Sequence, residues 1–328
     1  MAESALRSPT RWTAAAVLIG FGLVPVYAAL AGAPYQVTLF LRIMIYALAA
    51  LSLNFLLGVG GLVSFGHALY LGIGAYGVSI LQYYGLTSGV LQLAAALATG
   101  AVFALAIGAV VVRLSGMTFI MITLAFAQMG YFLAVSLKTY GGEDGRSIDI
   151  RSTLGPLDLS GNITLYYVVF AALLAALWVY ARMAESRFGM VLRGCRSNER
   201  RMLALGFPTF RYKLLAYVLS ALGCVLAGFF LANLTSYASP SYMQWTVSAE
   251  LIIMALLGGI GTLFGPVAGA LVFLLLEEVL GRWKPGVLPP VERLVNDHFL
   301  ALIGLFIILV VLTARRGLYG WLAAREAR

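Results

Sequence analysis

From Ile43 to Val112 the chain runs for seventy residues without one Asp, Glu, Lys or Arg. A soluble domain needs charged or strongly polar positions wherever its elements meet water, and a segment this long and apolar offers none. A bilayer removes that requirement, at about 20 apolar residues per crossing. Backbone N–H and C=O groups must still be paired inside lipid, which selects helices. The expected fold class is therefore all-α: a polytopic transmembrane helical bundle with glycine-broken helices. Elsewhere the composition agrees, with 11% charged residues against about 25% in ordinary soluble proteins.

Apolar stretches of spanning length fall near 13–33, 38–58, 67–85, 88–112, 116–137, 163–182, 212–233, 244–260, 264–281 and 298–314. That predicts about ten spans, with both termini on one side. The first stretch ends in a small-residue run, "ALAGA" at 29–33, but exceeds a signal-peptide core in length, so it is expected to be a retained helix. The stretches at 58–67 and 258–265 are glycine-rich enough to be re-entrant rather than simple turns. The pairs at 58–74 and 258–269 also suggest an internal repeat.

Orientation follows the Lys/Arg bias. With the N-terminus in the cytoplasm, the inner loops and termini hold Arg7, Arg11, Arg113, Arg182, Arg187, Arg193, Arg196, Arg200, Arg201, Arg211, Lys213, Arg315, Arg316, Arg325 and Arg328. The outer side holds only Arg42, Lys138, Arg146, Arg151, Arg282, Lys284 and Arg293. The net charge of +9 thus reflects a lipid surface and gives no reason to invoke nucleic acid. The chain reads as a single transmembrane domain, 1–328, with outer loops at about 138–162 and 282–298 and a basic cytoplasmic loop at about 183–212.

No engine is visible. The phosphate loop G-x-x-x-x-G-K-[ST] is absent, since no Gly-Lys pair occurs. Glu250, Glu277 and Glu278 are the carboxylates within apolar stretches, a thin set for a proton or sodium carrier. Neither a Ser/His/Asp set nor H-E-x-x-H is present. His67 and His298 lie far apart in sequence, and Cys195 and Cys224 read as free thiols, so no metal site is expected. The chain is thus expected to be neither an enzyme nor the holder of its own cofactor, and its energy must come from outside it.

The basic loop supplies a place for that energy to enter. In "RSNERRMLALGFP", Ser197 is a plausible N-cap and Glu199 lies in the first turn, where a negative charge suits the helix dipole. Gly206 can provide a left-handed C-terminal cap, and Pro208 prevents continuation. A helix of about eight residues, roughly 12 Å long, results, with Met202 and Leu205 on one face and Leu203 beside it. Such a helix suits either a groove on another protein or a bed of anionic headgroups.

Five blocks, in order, then carry a family resemblance. They are "LSLNFLLGVGGLVSFGHALYLGIGAY" at 51–76, "RLSGMTFIMITLAFAQM" at 113–129 with "GGEDG" at 141–145, and "SRFGMVLRGCRSNERRMLALGFPTFRYKLLAYVLSA" at 186–221. "SAELIIMALLGGIGTLFGPVAGA" at 248–270 and "ARRGLYG" at 314–320 complete the set. The chain resembles the permease subunits of branched-chain amino-acid ABC importers, in particular the M-type partner of their heterodimeric pair. The resemblance implies a cytoplasmic coupling helix, carried here by Ser197, Asn198, Glu199, Ala204 and Gly206, that docks on a separate ATP-binding subunit. It further implies a second permease, two ATP-binding subunits holding ATP and magnesium, an extracytoplasmic binding protein, and residence in the cell inner membrane. Leu62 stands where relatives often have glutamine, Gln128 where many have glutamate, and Glu143 where a small hydroxyl residue is usual. The first two departures bear on the path and so on the substrate, since related permeases carry urea, short amides and other small carboxylates. An ion-coupled secondary carrier is the alternative from another class.

Asn54, Ser64, His67, Thr123, Gln128 and Glu250 are the candidates to line a translocation path. Each polar side chain in a span needs a partner inside the bundle, whether protein, water or substrate. His67 can serve a substrate carboxylate or a neighbouring helix. Glu250, an expensive group in lipid, follows Trp245, which suits a membrane boundary. It belongs either at the outer interface, in a structural hydrogen bond, or in the path. A branched-chain substrate asks for a largely apolar passage with few grips.

Overall fold

The computed structural model describes residues 9–155, 157–281, 299–313, 317 and 319. It contains eleven α-helices among the described residues: α1 (Pro9–Ala31), α2 (Pro34–Asn54), α3 (His67–Tyr83), α4 (Gly89–Val111), α5 (Met117–Ser136), α6 (Asn162–Glu185), α7 (Arg187–Ala204), α8 (Thr209–Thr235), α9 (Trp245–Gly258), α10 (Gly265–Gly281) and α11 (Phe299–Thr313). The expected outer loop at 282–298 and both chain ends lie outside the described residues.

The first part of the uncharged run is explained by where α2 sits. Every residue from Ile43 to Gly58 is buried, so this helix has no polar face to keep. Proline at its first position fixes φ for helix entry and lacks only a donor that would be unpaired anyway. Around α2 pack α6, α8, α9 and α10, while α3 and α4 cover the far side of α8. Glycines let the backbones of α3 and α8 approach: Gly74 lies against the Val225 carbonyl and Gly228 against that of Leu71. The outer helices turn large apolar side chains outward, among them Trp12, Leu30, Met117, Phe132 and Trp178. That surface is unacceptable in water and natural in lipid.

Among the described residues, six helical stretches are long and apolar enough to cross a membrane: Trp12–Ala31, Pro34–Val59, Gly89–Val111, Met117–Ser136, Asn162–Glu185 and Thr209–Thr235. The protein is thus a multi-pass helical membrane bundle. Four of the ten expected crossings fall on shorter helices, α3, α9, α10 and α11, of 17, 14, 17 and 15 residues. The first three are short for a physical reason: each starts or ends at a break in the chain.

The first break is not a simple turn. After Asn54 the helix widens into a π-turn, Phe55–Val59, and Gly61 turns the chain at φ +71°. The next residues run without helical structure until α3 begins at His67. The Phe65 N–H donates to Thr123 Oγ1 (3.1 Å) and the Ala68 N–H to Ser248 Oγ (2.9 Å). These two hydroxyls satisfy backbone donors that the break leaves free. The second break, between α9 and α10, meets the first directly. A Cβ on Gly58 would lie 2.5 Å from Gly261 Cα.

The loop at 138–162 is stapled to the bundle. Its strand β1 (Arg146–Ser147) pairs antiparallel with Tyr237–Ala238, which follows α8, and Thr153–Leu154 pairs with Leu157–Asp158. The Ser152 N–H donates to Asn233 Oδ1 (2.9 Å), and Arg151 donates to Asn162 Oδ1 (2.6 Å).

Candidate functional site

The buried polar groups gather where α2, α3 and α8 meet. Ser220 Oγ donates to the Ser52 carbonyl at 2.6 Å and lies 2.8 Å from His67 Nε2. Because the serine proton is committed to the carbonyl, His67 must donate from Nε2, which leaves Nδ1 as a bare acceptor. Nδ1 is buried with no hydrogen-bond partner. The His67 ring packs edge-on to Tyr70 and Tyr217, with centroids at 5.9 and 5.6 Å, and the two tyrosine hydroxyls bond each other at 3.1 Å. Ser64 Oγ accepts from the Gly66 N–H (3.2 Å), shaping the approach to α3.

The other path candidates separate by what they touch. Asn54 is fully engaged across the two breaks: its Nδ2 donates to the Thr262 carbonyl (2.9 Å) and its Oδ1 accepts from the Gly261 N–H (3.1 Å). Thr123 is likewise used, accepting from Phe65 and donating to the Ile120 carbonyl at 2.9 Å. Gln128 is half-buried further along α5. Five residues from Thr123, it points about 140° away from it at 100° per residue. Glu250 is half-buried on α9, on the side of the bundle that holds Arg42 and Glu277, themselves 3.8 Å apart. The structure therefore brings Ser64, His67 and Thr123 to one neighbourhood and sets Gln128 and Glu250 apart from it.

The basic segment forms α7 and its exit. Ser186 caps the start, its Oγ accepting from the Gly189 N–H at 3.4 Å. The helix then breaks at Asn198, whose backbone is extended (φ −159°, ψ 100°). Asn198 Oδ1 accepts from the Arg201 N–H (3.0 Å), so Asn198 and not Ser197 is the N-cap of the short helix that follows. Both residue types cap well; the extended dihedrals at 198 decide the register. At the far end Gly206 adopts φ +85°. The Gly206 N–H reaches the Leu203 carbonyl (2.9 Å) and the Phe207 N–H reaches that of Met202 (3.1 Å), the paired bonds of a Schellman ending. Met202 turns inward against Gly194, whereas Leu203 and Leu205 are 54% and 66% exposed. The outward apolar pair is thus Leu203 and Leu205, and Met202 does not share it.

Sequence reasoning counted Lys213 only as one more basic residue. Its Nζ lies 2.5 Å from Glu199 Oε2, and its side chain is 7% exposed against 39% for the glutamate. Glu199 therefore ties the short helix to the base of α8 besides serving its N-terminus. Ser220 and Tyr217 were also missed: in an apolar run a lone serine or tyrosine gives no signal until its partner from another helix is known.

These features define a class: a multi-pass helical membrane protein with two facing broken helices and a capped amphipathic helix on one face, the equipment of a transport subunit. The chain belongs to the family described as branched-chain amino acid transport system / permease component, which matches residues 35–312. It is 27% identical over 301 residues to the high-affinity branched-chain amino acid transport system permease protein LivM of Escherichia coli K12, covering 84% of this chain and 68% of that one. It is also 25% identical over 254 residues to the corresponding permease protein LivH of the same organism, covering 71% and 81%. A probable branched-chain amino acid transport permease protein LivM of Methanocaldococcus jannaschii is 26% identical over 281 residues, covering 73% and 79%. No solved structure matches the chain.

Proposed function

We propose that this chain is one of two permease subunits of an ATP-driven importer that moves branched-chain or similar small amino acids inward across the cell inner membrane. The observation that carries the reading is the capped helix at 198–206, which presents Leu203 and Leu205 outward while Glu199 anchors it to α8. Docking on an ATP-binding subunit gives an exposed apolar pair of this kind a purpose. Two ATP-binding subunits would hold ATP and magnesium, and a binding protein would deliver substrate from outside. Similarity to both LivM and LivH supports a second permease as the partner. In this reading all ten apolar stretches cross, the short helices completing their passage through the breaks, with both termini cytoplasmic. Ser64 and Thr123 shape the backbone at the start of α3, and Asn54 locks the breaks together. His67 Nδ1, Gln128 and Glu250 keep hydrogen-bonding capacity for the path.

The test uses proteoliposomes holding this chain alone with an imposed proton or sodium gradient. The expected result is no leucine, isoleucine or valine uptake. Gradient-driven uptake would make the chain a secondary carrier. In the full complex, preference for urea or a short amide would move it to a neighbouring substrate class.

A further inference from the structure

The first glycine break is fastened to α7 at two points, although Gly58 and Arg196 stand 138 residues apart in sequence. Phe188 in the first turn of α7 stacks on Phe55 of the π-turn, with centroids 6.5 Å apart and planes at 15°, and on Tyr212 of α8 at 5.8 Å. Two turns further on, Arg196 Nη1 donates to the carbonyl oxygen of Gly58. That carbonyl belongs to the π-turn that continues α2, and the last turn of a helix has no intrahelical donors left for its carbonyls. A cation there is also favoured by the helix dipole. The neighbouring carbonyls of Leu56 and Leu57 are met by the N–H groups of Leu62 and Gly61, and Gly58 is met by the guanidinium.

The aliphatic stem of Arg196 lies across Gly61. A Cβ at that position would stand 2.6 Å from Arg196 Cγ. Gly61 therefore has two reasons to be glycine: its left-handed φ of +71° and the space that the arginine occupies. From Gly58 the contact continues without slack. Gly58 abuts Gly261, and Asn54 clamps Gly261 and Thr262 on either side of the same junction. On the cytoplasmic side, Arg196 lies two residues before the bend at Asn198, beyond which the exposed helix begins.

We propose that Arg196 is the positioning residue through which movement of the cytoplasmic helix reaches the broken ends of α2 and of the α9–α10 pair. The inference rests on the ATP-driven transport reading. A displacement of the helix beyond Asn198 pulls on α7. Phe188 slides on Phe55 because a contact with centroids 6.5 Å apart is held mainly by apolar burial, which is non-directional, whereas the guanidinium hydrogen bond to Gly58 is directional and transmits the pull. Gly58 then carries Gly261 with it, so both breaks move together.

The experiment uses the assembled complex of two permeases, two ATP-binding subunits and loaded binding protein in proteoliposomes. It compares the parent with Arg196→Gln and Arg196→Lys. Four readouts are taken: substrate uptake, co-purification of the ATP-binding subunits, ATP turnover with and without loaded binding protein, and hydrogen exchange of amides at 58–66 and 259–262 with and without ATP. Arg196→Gln is expected to assemble fully and keep its unstimulated turnover. Uptake and stimulated turnover should fall at least about tenfold, the scale of one lost charge-assisted hydrogen bond, with unchanged half-saturation by substrate. ATP should alter exchange at both breaks in the parent and at neither in Arg196→Gln. Arg196→Lys, which keeps the positive charge and more of the reach than glutamine does, should recover part of the coupling. Normal coupling in Arg196→Gln, or loss of assembly in both variants, would overturn the proposal. A parent complex without stimulated turnover would instead overturn the transport reading, and the proposal with it.

Discussion

Neutralising Glu199 should cost more than removing the lysine it faces. The carboxylate and the Lys213 ammonium are 2.5 Å apart, with the lysine side chain 7% exposed and the glutamate 39% exposed. Glu199→Gln keeps the shape but leaves a buried cation facing a neutral amide. Two unit charges about 4 Å apart attract by about 4 kcal/mol at an effective dielectric of 20. Partial exposure of Glu199 reduces this toward the range of a hydrogen bond to a charged group, so we take about 2 kcal/mol. Lys213→Met removes the buried charge itself and lets Glu199 return to water, and such apolar replacement is often close to neutral. The double variant should therefore resemble Lys213→Met alone. Hydrogen exchange of amides at 199–213 in detergent or nanodiscs reads the difference. About 2 kcal/mol corresponds to roughly thirtyfold faster local opening in Glu199→Gln, at most a few-fold in Lys213→Met, and no further increase in the double variant. Equal, additive effects of the two single substitutions would show that the pair does not hold the short helix to α8.

Three further outcomes are expected. Gly206→Val forces a β-branched residue to φ +85°, at about 1–2 kcal/mol; it should insert normally but lose ATP-binding subunits on co-purification. Gly58→Ala places a methyl 2.5 Å from Gly261 Cα; prying the breaks apart should cost about 1–3 kcal/mol, read as a lowered melting temperature in detergent. A maleimide should label Ser197→Cys only from the cytoplasm and Ser147→Cys only from outside. Native Cys195 and Cys224 are both buried, and burial pushes the Cys195 thiol further above its ordinary range, so the background should be low at pH 7. Labelling of both positions from one face would break the ten-span topology.

The sequence reading succeeded where the signal is local. Absence of charge from Ile43 to Val112 marked the membrane, and the buried α2 shows why the run has no polar periodicity. Gly206 and Pro208 announced the end of the short basic helix because left-handed caps and proline stops are decided by one residue each. Its start was placed one residue early, since Ser197 and Asn198 are both good caps and only the backbone chooses. That the helix breaks near 58–67 was visible in its glycines, but not the meeting of Gly58 with Gly261. Long-range partners were invisible altogether. Nothing near His67 points to Ser220, and nothing near Glu199 singles out Lys213 from seven nearby basic residues. The path candidates Asn54 and Thr123 were legible as polar groups needing partners; that those partners are backbone groups at the breaks required the fold.

Under the proposed function, this chain moves substrate only when an ATP-hydrolysing partner acts on the helix at 198–206. The direct measurement is leucine uptake into proteoliposomes containing the complete complex, with loaded binding protein outside and ATP inside. Leucine should accumulate with ATP, not with a non-hydrolysable analogue, and should fail to accumulate when Gly206→Val replaces the parent chain. Accumulation without ATP hydrolysis, or undiminished uptake by Gly206→Val, would contradict the account.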